Sequence, residues 1–138
     1  MRAREMMHEG VECVREHESL RQVAERMRDL DVGCMPICGD DERLHGVITD
    51  RDIVLQCCAE GRHPSQMRAG DLAQGTPVWI SADASEDQVL QQMAQNRIKR
   101  LPVIDDGRLV GIISEADVAR HLSGEGVARM AEAIYGEG

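Results

Sequence analysis

Phenylalanine is absent from this chain of 138 residues, and aromatics as a whole come down to one tryptophan and one tyrosine. A core built without rings must be filled by Val, Ile, Leu and eight Met, the last an adaptable filler of irregular gaps. Lysine is as scarce: Lys99 is the only one, so arginine carries nearly all the positive charge. That charge is itself in deficit. A formal net charge of −9 excludes a general binder of nucleic acid or of an anionic membrane, both of which need a basic surface. No apolar run approaches the roughly 18–20 residues of a membrane span. The opening "MRAREMMHEG" has no apolar signal-peptide region, so the expected compartment is the cytoplasm. The five cysteines, Cys13, Cys34, Cys38, Cys57 and Cys58, are too few and too irregularly spaced for a secreted disulfide scaffold. No nucleophile motif sets a base or an oxyanion loop beside a serine, cysteine or histidine, and the chain reads as a binding protein, not an enzyme.

What the sequence does contain is one unit written twice. An offset of 66 brings Pro36 onto Pro102, Ser19 onto Ser85, Val23 onto Val89 and Met27 onto Met93. After one extra residue in the first copy's turn, an offset of 65 brings Gly46 onto Gly111, Thr49 onto Ser114 and Asp52 onto Asp117. A fixed period of this length marks a repeat architecture. The expected partition is a first repeat with its linker over 1–66, a second over 67–124, and a C-terminal helix and tail over 125–138. Residues 1–66 carry a net charge of −5 and residues 67–138 of −4, so neither half is a specialised acidic or basic tail.

Each copy reads as β-α-β-β-α. "GVECV" and "TPVWIS" suit short strands. Ser19 and Ser85 each precede a glutamine three residues on (Gln22, Gln88), the capping-box signature of a helix start. Leu20, Val23, Ala24, Met27 and Leu30 then recur at helical spacing, as do Val89, Leu90 and Met93. "CMPIC" and "LPVI" read as strands, joined through turn-rich "GDDERLHG" and "DDGRLVG" to the strands "VIT" and "IIS". A second helix follows in each copy, over 50–59 and 115–122, with Gly61 and Gly124 just past the ends as stops. The fold class is α/β, and the two copies are expected to pack sheet against sheet as one pseudo-twofold module.

The repeated junction between strand and helix, "GVITDRDIV" and "GIISEADVA", sets a hydroxyl residue three positions before an aspartate. Two readings fit it. It is a capping box, with Thr49 or Ser114 answered by Asp52 or Asp117. It is equally the start of a phosphate site at a helix N-terminus, with an aspartate placed to take ribose hydroxyls. "D-R-D" without clustered ligands is weak support for a metal, and no metal site is assigned.

Doubled in register, with "h-P-h" in the preceding strand, this pattern resembles a tandem pair of cystathionine-β-synthase (CBS) domains, a Bateman module, over residues 1–122. Within that family it is most similar to the small stand-alone actinobacterial CBS proteins of the hypoxic-response type. The resemblance implies two clefts between repeats for an adenine ligand such as AMP, ADP, ATP or S-adenosylmethionine. It implies that Asp52 and Asp117 hold ribose hydroxyls, that Thr49 and Ser114 contact phosphate, and that Met35-Pro36 and Leu101-Pro102 line the adenine slot. It also implies a homodimer. The second site is the better nucleotide candidate, since Arg97, Lys99 and Arg100 stand where the first copy has Asp31, Gly33 and Cys34. The alternative within the same resemblance is a structural or protein-interaction dimer of a stress or hypoxia response, without a nucleotide and linked to redox or metal chemistry through its cysteines.

Cys13 and Cys38 lie near the ends of strands that a helical crossover would leave adjacent, so a disulfide between them is geometrically open. Cys57-Cys58 with His63, or Cys34 and Cys38 with His45, lack the paired spacing of a zinc site. In the tail, Val127, Met130, Ala131 and Ile134 recur at helical spacing and predict a short amphipathic helix.

Overall fold

The computed structural model of the chain describes residues 1–72, 77–121 and 124–136. It holds two three-stranded sheets. The first is ordered β1 (Val14–Arg15), β2 (Cys34–Cys38), β3 (Leu44–Thr49), and the second β4 (Ile80–Ser81), β5 (Arg100–Asp105), β6 (Arg108–Ser114). In both, the first pair is parallel and the second antiparallel. The helices are α1 (Ala3–Met6), α2 (Leu20–Leu30), α3 (Asp50–Ile53), α4 (Ala69–Leu72), α5 (Glu86–Asn96), α6 (Glu115–His121) and α7 (Gly124–Tyr135). Among the described residues no helix is long and apolar enough to cross a membrane.

The repeat is visible in hydrogen-bonding detail. Ser19 and Ser85 cap α2 and α5 through amides of Gln22 and Gln88, and each glutamine side chain accepts from its serine's own amide. Both helices close on a non-glycine residue in the left-handed region, Asp31 (φ 56°) and Arg97 (φ 51°). There the amides of Val32 and Ile98 reach back to the carbonyls of Met27 and Met93. The β5–β6 turn is the two-residue type anticipated from its Asp-Gly pair, with Asp106 (φ 52°) and Gly107 (φ 77°) both left-handed. Each hairpin also carries a bulge at the same place, after Ile37 and after Val103.

Three local expectations are corrected. The first strands are shorter than "GVECV" and "TPVWIS", with two residues each; Thr76 falls outside the described residues. The helix expected over 50–59 is α-helical only to Ile53 and continues as a π-helix over Val54–Cys58, before Gly61 (φ 71°) closes it as expected. Gly124 is no stop: it opens α7, while Leu122 lies outside the described residues. Within α7, Ile134 is buried but Ala131 is exposed, and the side chains of Val127 and Met130 are not among those described.

The chain forms two compact units, cut differently from the sequence copies. One is continuous, Glu12–Pro77, with a core of Val14, Leu20, Val23, Ile37 and Ile48 that α4 covers with Ala69 and Leu72. The other joins Met1–Val11 to Val78–Gly138, and its core includes Ala3 and Met6 beside Val89, Met93, Leu101, Val103, Ile113 and Val118. The opening segment therefore belongs to the unit of the second repeat. All five cysteines fall in Glu12–Pro77.

Candidate functional site

Each unit delivers its hydroxyl–aspartate pair at the end of the hairpin's outer strand. In the continuous unit, Thr49 closes β3 opposite Cys34, and the Asp50 amide donates to the Gly33 carbonyl at 2.9 Å. The Asp52 amide donates to Thr49 Oγ1 at 3.1 Å, and Asp52 Oδ2 accepts the Thr49 amide at 2.9 Å. The capping box is thus real. It uses one carboxylate oxygen, and among the described residues Asp52 Oδ1 has no hydrogen-bond partner.

The other junction is built alike and finished differently. Ser114 closes β6 opposite Arg100, and the Glu115 amide donates to the Lys99 carbonyl at 3.0 Å. Asp117 Oδ2 accepts both the amide and the hydroxyl of Ser114, each at 2.8 Å. Its Oδ1 lies 2.7 Å from His8 Nε2 and meets the Arg120 guanidinium. Asp117 is the buried charged residue of the described core, at 2% exposure, and both of its carboxylate oxygens are engaged.

The structure brings some predicted cations to this junction and turns them elsewhere. Lys99 adjoins Glu115 through the backbone, but its ammonium sits 4.7 Å from the centroid of the Tyr135 ring. Tyr135 in turn donates its hydroxyl to the Glu115 carboxylate, 2.7 and 2.8 Å from the two oxygens. The Arg100 guanidinium donates to the Lys99 carbonyl at 3.0 Å, and Arg97 stands at the left-handed close of α5. Met35, Pro36, Leu101 and Pro102 are all buried. Sequence reasoning missed His8 and Arg120. Arg120, one helical turn beyond Asp117, was legible as an i, i+3 partner. His8 comes from the other end of the chain and left no such signal.

Cys13 and Cys38 stand at disulfide-bonding distance, with Cα atoms 5.7 Å apart. A bond formed between them would leave Cys38 with no thiolate for a metal. His45 Nδ1 faces Glu16, and His63 Nδ1 accepts the Ser65 amide at 3.1 Å. Burial pushes the Cys57 thiol up, whereas Cys58 is exposed. Among the described residues no group of three or more His, Cys, Asp or Glu is placed to hold a metal ion.

Comparison with known proteins places these features. The profile of the CBS domain matches residues 3–57 and 69–124. Hypoxic response protein 1 of Mycobacterium tuberculosis is 47% identical over 132 residues, spanning 96% of this chain and 92% of that protein. The solved structure of Hypoxic Response Protein I with two coordinated zinc ions superposes with a TM-score of 0.83 at 49% identity, covering 89% of this chain and 100% of that one. A conserved CBS domain protein of Thermoplasma acidophilum shares the fold, with a TM-score of 0.83 at 21% identity over 96% of this chain and 75% of its own.

Proposed function

The chain belongs to the CBS-domain family, and on that premise we propose that it is a non-catalytic, ligand-sensing module that takes an adenine nucleotide or related adenosyl ligand at the Thr49–Asp52 junction. The observation that carries this choice is the uncommitted Oδ1 of Asp52. A carboxylate with one oxygen held by its own capping box and the other free is oriented to accept from a ribose hydroxyl. Charge alone ranks the Ser114–Asp117 junction higher, through Arg97, Lys99 and Arg100, but its aspartate is already saturated. We keep that junction as a second site of the same ligand class.

The saturation of Asp117 also favours a second reading, in which the capping boxes serve the fold alone and the protein is an interaction module. Calorimetric titration of AMP and of ATP separates the two. The proposal expects binding by the wild type and at least tenfold weaker binding by Asp52→Ala, a loss of about 1.4 kcal/mol. No heat of binding with either nucleotide would leave the interaction reading in place. We further propose a homodimer, supported by Leu30, Val32, Val54 and Leu55, which are large, apolar and exposed in the Glu12–Pro77 unit. Light scattering that returned the mass of a single chain at all concentrations would dispose of it.

Hypoxic Response Protein I carries two coordinated zinc ions in its solved structure, whereas among the described residues here no group of three or more His, Cys, Asp or Glu is placed to hold a metal ion.

A further inference from the structure

Asp117 is buried beneath side chains that are themselves on the surface. It is 2% exposed, while the two groups on its Oδ1, His8 and Arg120, are 65% and 62% exposed. His8 is delivered there by its backbone. Its amide donates to the Ile112 carbonyl at 2.9 Å, and its carbonyl accepts from the Ile112 amide at 3.2 Å. Gly111 makes the approach possible: a Cβ there would lie 2.7 Å from the His8 carbonyl oxygen and 2.6 Å from Met7 Sδ. Ala3 and Met6, buried in the same core, and Arg4, paired with Asp83, anchor the segment upstream. The backbone of His8 is thus fixed while its imidazole remains free to swing into water.

At the first junction the matching residues are different. The residue matching Arg120 is Leu55, which has no donor, and the residue matching His8 is Gln74, which lies outside the described residues.

We propose that His8 and Arg120 form a removable lid over Asp117, so that the Ser114–Asp117 junction is a latent site, closed by the chain's own N-terminal segment. A ligand opens it by exchanging one of its ribose hydroxyls for His8 on Oδ1. Because the displaced imidazole is already mostly hydrated, its release costs little, and the lid sets a threshold without sealing the site. This rests on the adenosyl-ligand reading above, and the test keeps the two apart.

AMP is titrated into wild type, Asp52→Ala, Asp52→Ala/His8→Ala and Asp52→Ala/His8→Gln, with thermal melts to verify folding. The comparison of wild type with Asp52→Ala judges the first junction. The lid is judged only against Asp52→Ala. Removing His8 from that background is expected to tighten AMP binding about three- to fivefold, and the gain is expected to vanish with 2′-deoxy-AMP or on adding Asp117→Ala. Glutamine retains an N–H donor for Oδ1 and is expected to leave affinity near that of Asp52→Ala. Affinity of the His8→Ala form no better than that of Asp52→Ala overturns the lid, whatever the wild type does. An equal gain from glutamine overturns it too, because closure would then not depend on a donor to Oδ1.

Discussion

Arg4 and Asp83 form an ion pair at 2.6 Å that fastens the opening segment to the loop before α5. The Arg4 hydrogen bond and charge hold the Asp83 carboxyl below its usual range. A carboxylate depressed in the folded state contributes stability above its unfolded value of about 3.9, and loses that contribution as pH falls through the lower folded value. Both side chains are largely exposed, so the effect is local. The expected outcome is an Asp83 carboxyl-carbon titration by NMR with a midpoint below that of an ordinary aspartate, rising toward it in Arg4→Ala. Equal midpoints in the two proteins would contradict the pairing.

The two junction aspartates should differ in what they contribute to the fold. Asp52→Ala removes half of a partly exposed capping box and is expected to cost about 1 kcal/mol. Asp117→Ala removes a buried carboxylate with charge-assisted partners, for which about 2–3 kcal/mol is expected. Urea unfolding of the two variants measures the difference, and equal losses would show that Asp117 is no more than a cap.

The cysteines should sort into three behaviours. Non-reducing peptide mapping of oxidised protein is expected to give a Cys13–Cys38 linked peptide, and closing that loop with its sequence separation of 25 is worth about 3 kcal/mol. Cys58 is expected to be alkylated first and Cys57, buried with a raised pKa, last. Recovery of Cys13 and Cys38 as free thiols from air-exposed protein would remove the linkage.

Much of this arrangement was legible in the residues. The capping boxes at Ser19, Ser85, Thr49 and Ser114 could be read because their partners lie three positions away, where local geometry decides the contact. The Asp106-Gly107 turn was readable for the same reason. The Cys13–Cys38 proximity needed one further step, the pairing of two strands across a helix, and that pairing is present as β1 with β2. What could not be read depends on contacts between distant parts of the chain. Nothing near His8 or Ala3 in sequence says that the first eleven residues complete the unit of the second repeat. The ranking of the junctions by nearby cations illustrates the same limit. It registers Lys99 as available because it cannot see Tyr135 lying against it.

The division of the chain has a consequence for how it is made. Glu12–Pro77 is a continuous stretch whose contacts can all form as soon as it leaves the ribosome. Met1–Val11 emerges earlier still, yet Ala3 and Met6 have no core to enter until the strands and helices after Val78 have been synthesised. Met1–Val11 therefore settles only after residues made later than it, and closing so long an excursion is the slow kind of contact. An affinity tag or fusion partner on the amino end would burden that late step, and the damage would surface in the distal half of the product, far in sequence from the alteration that caused it.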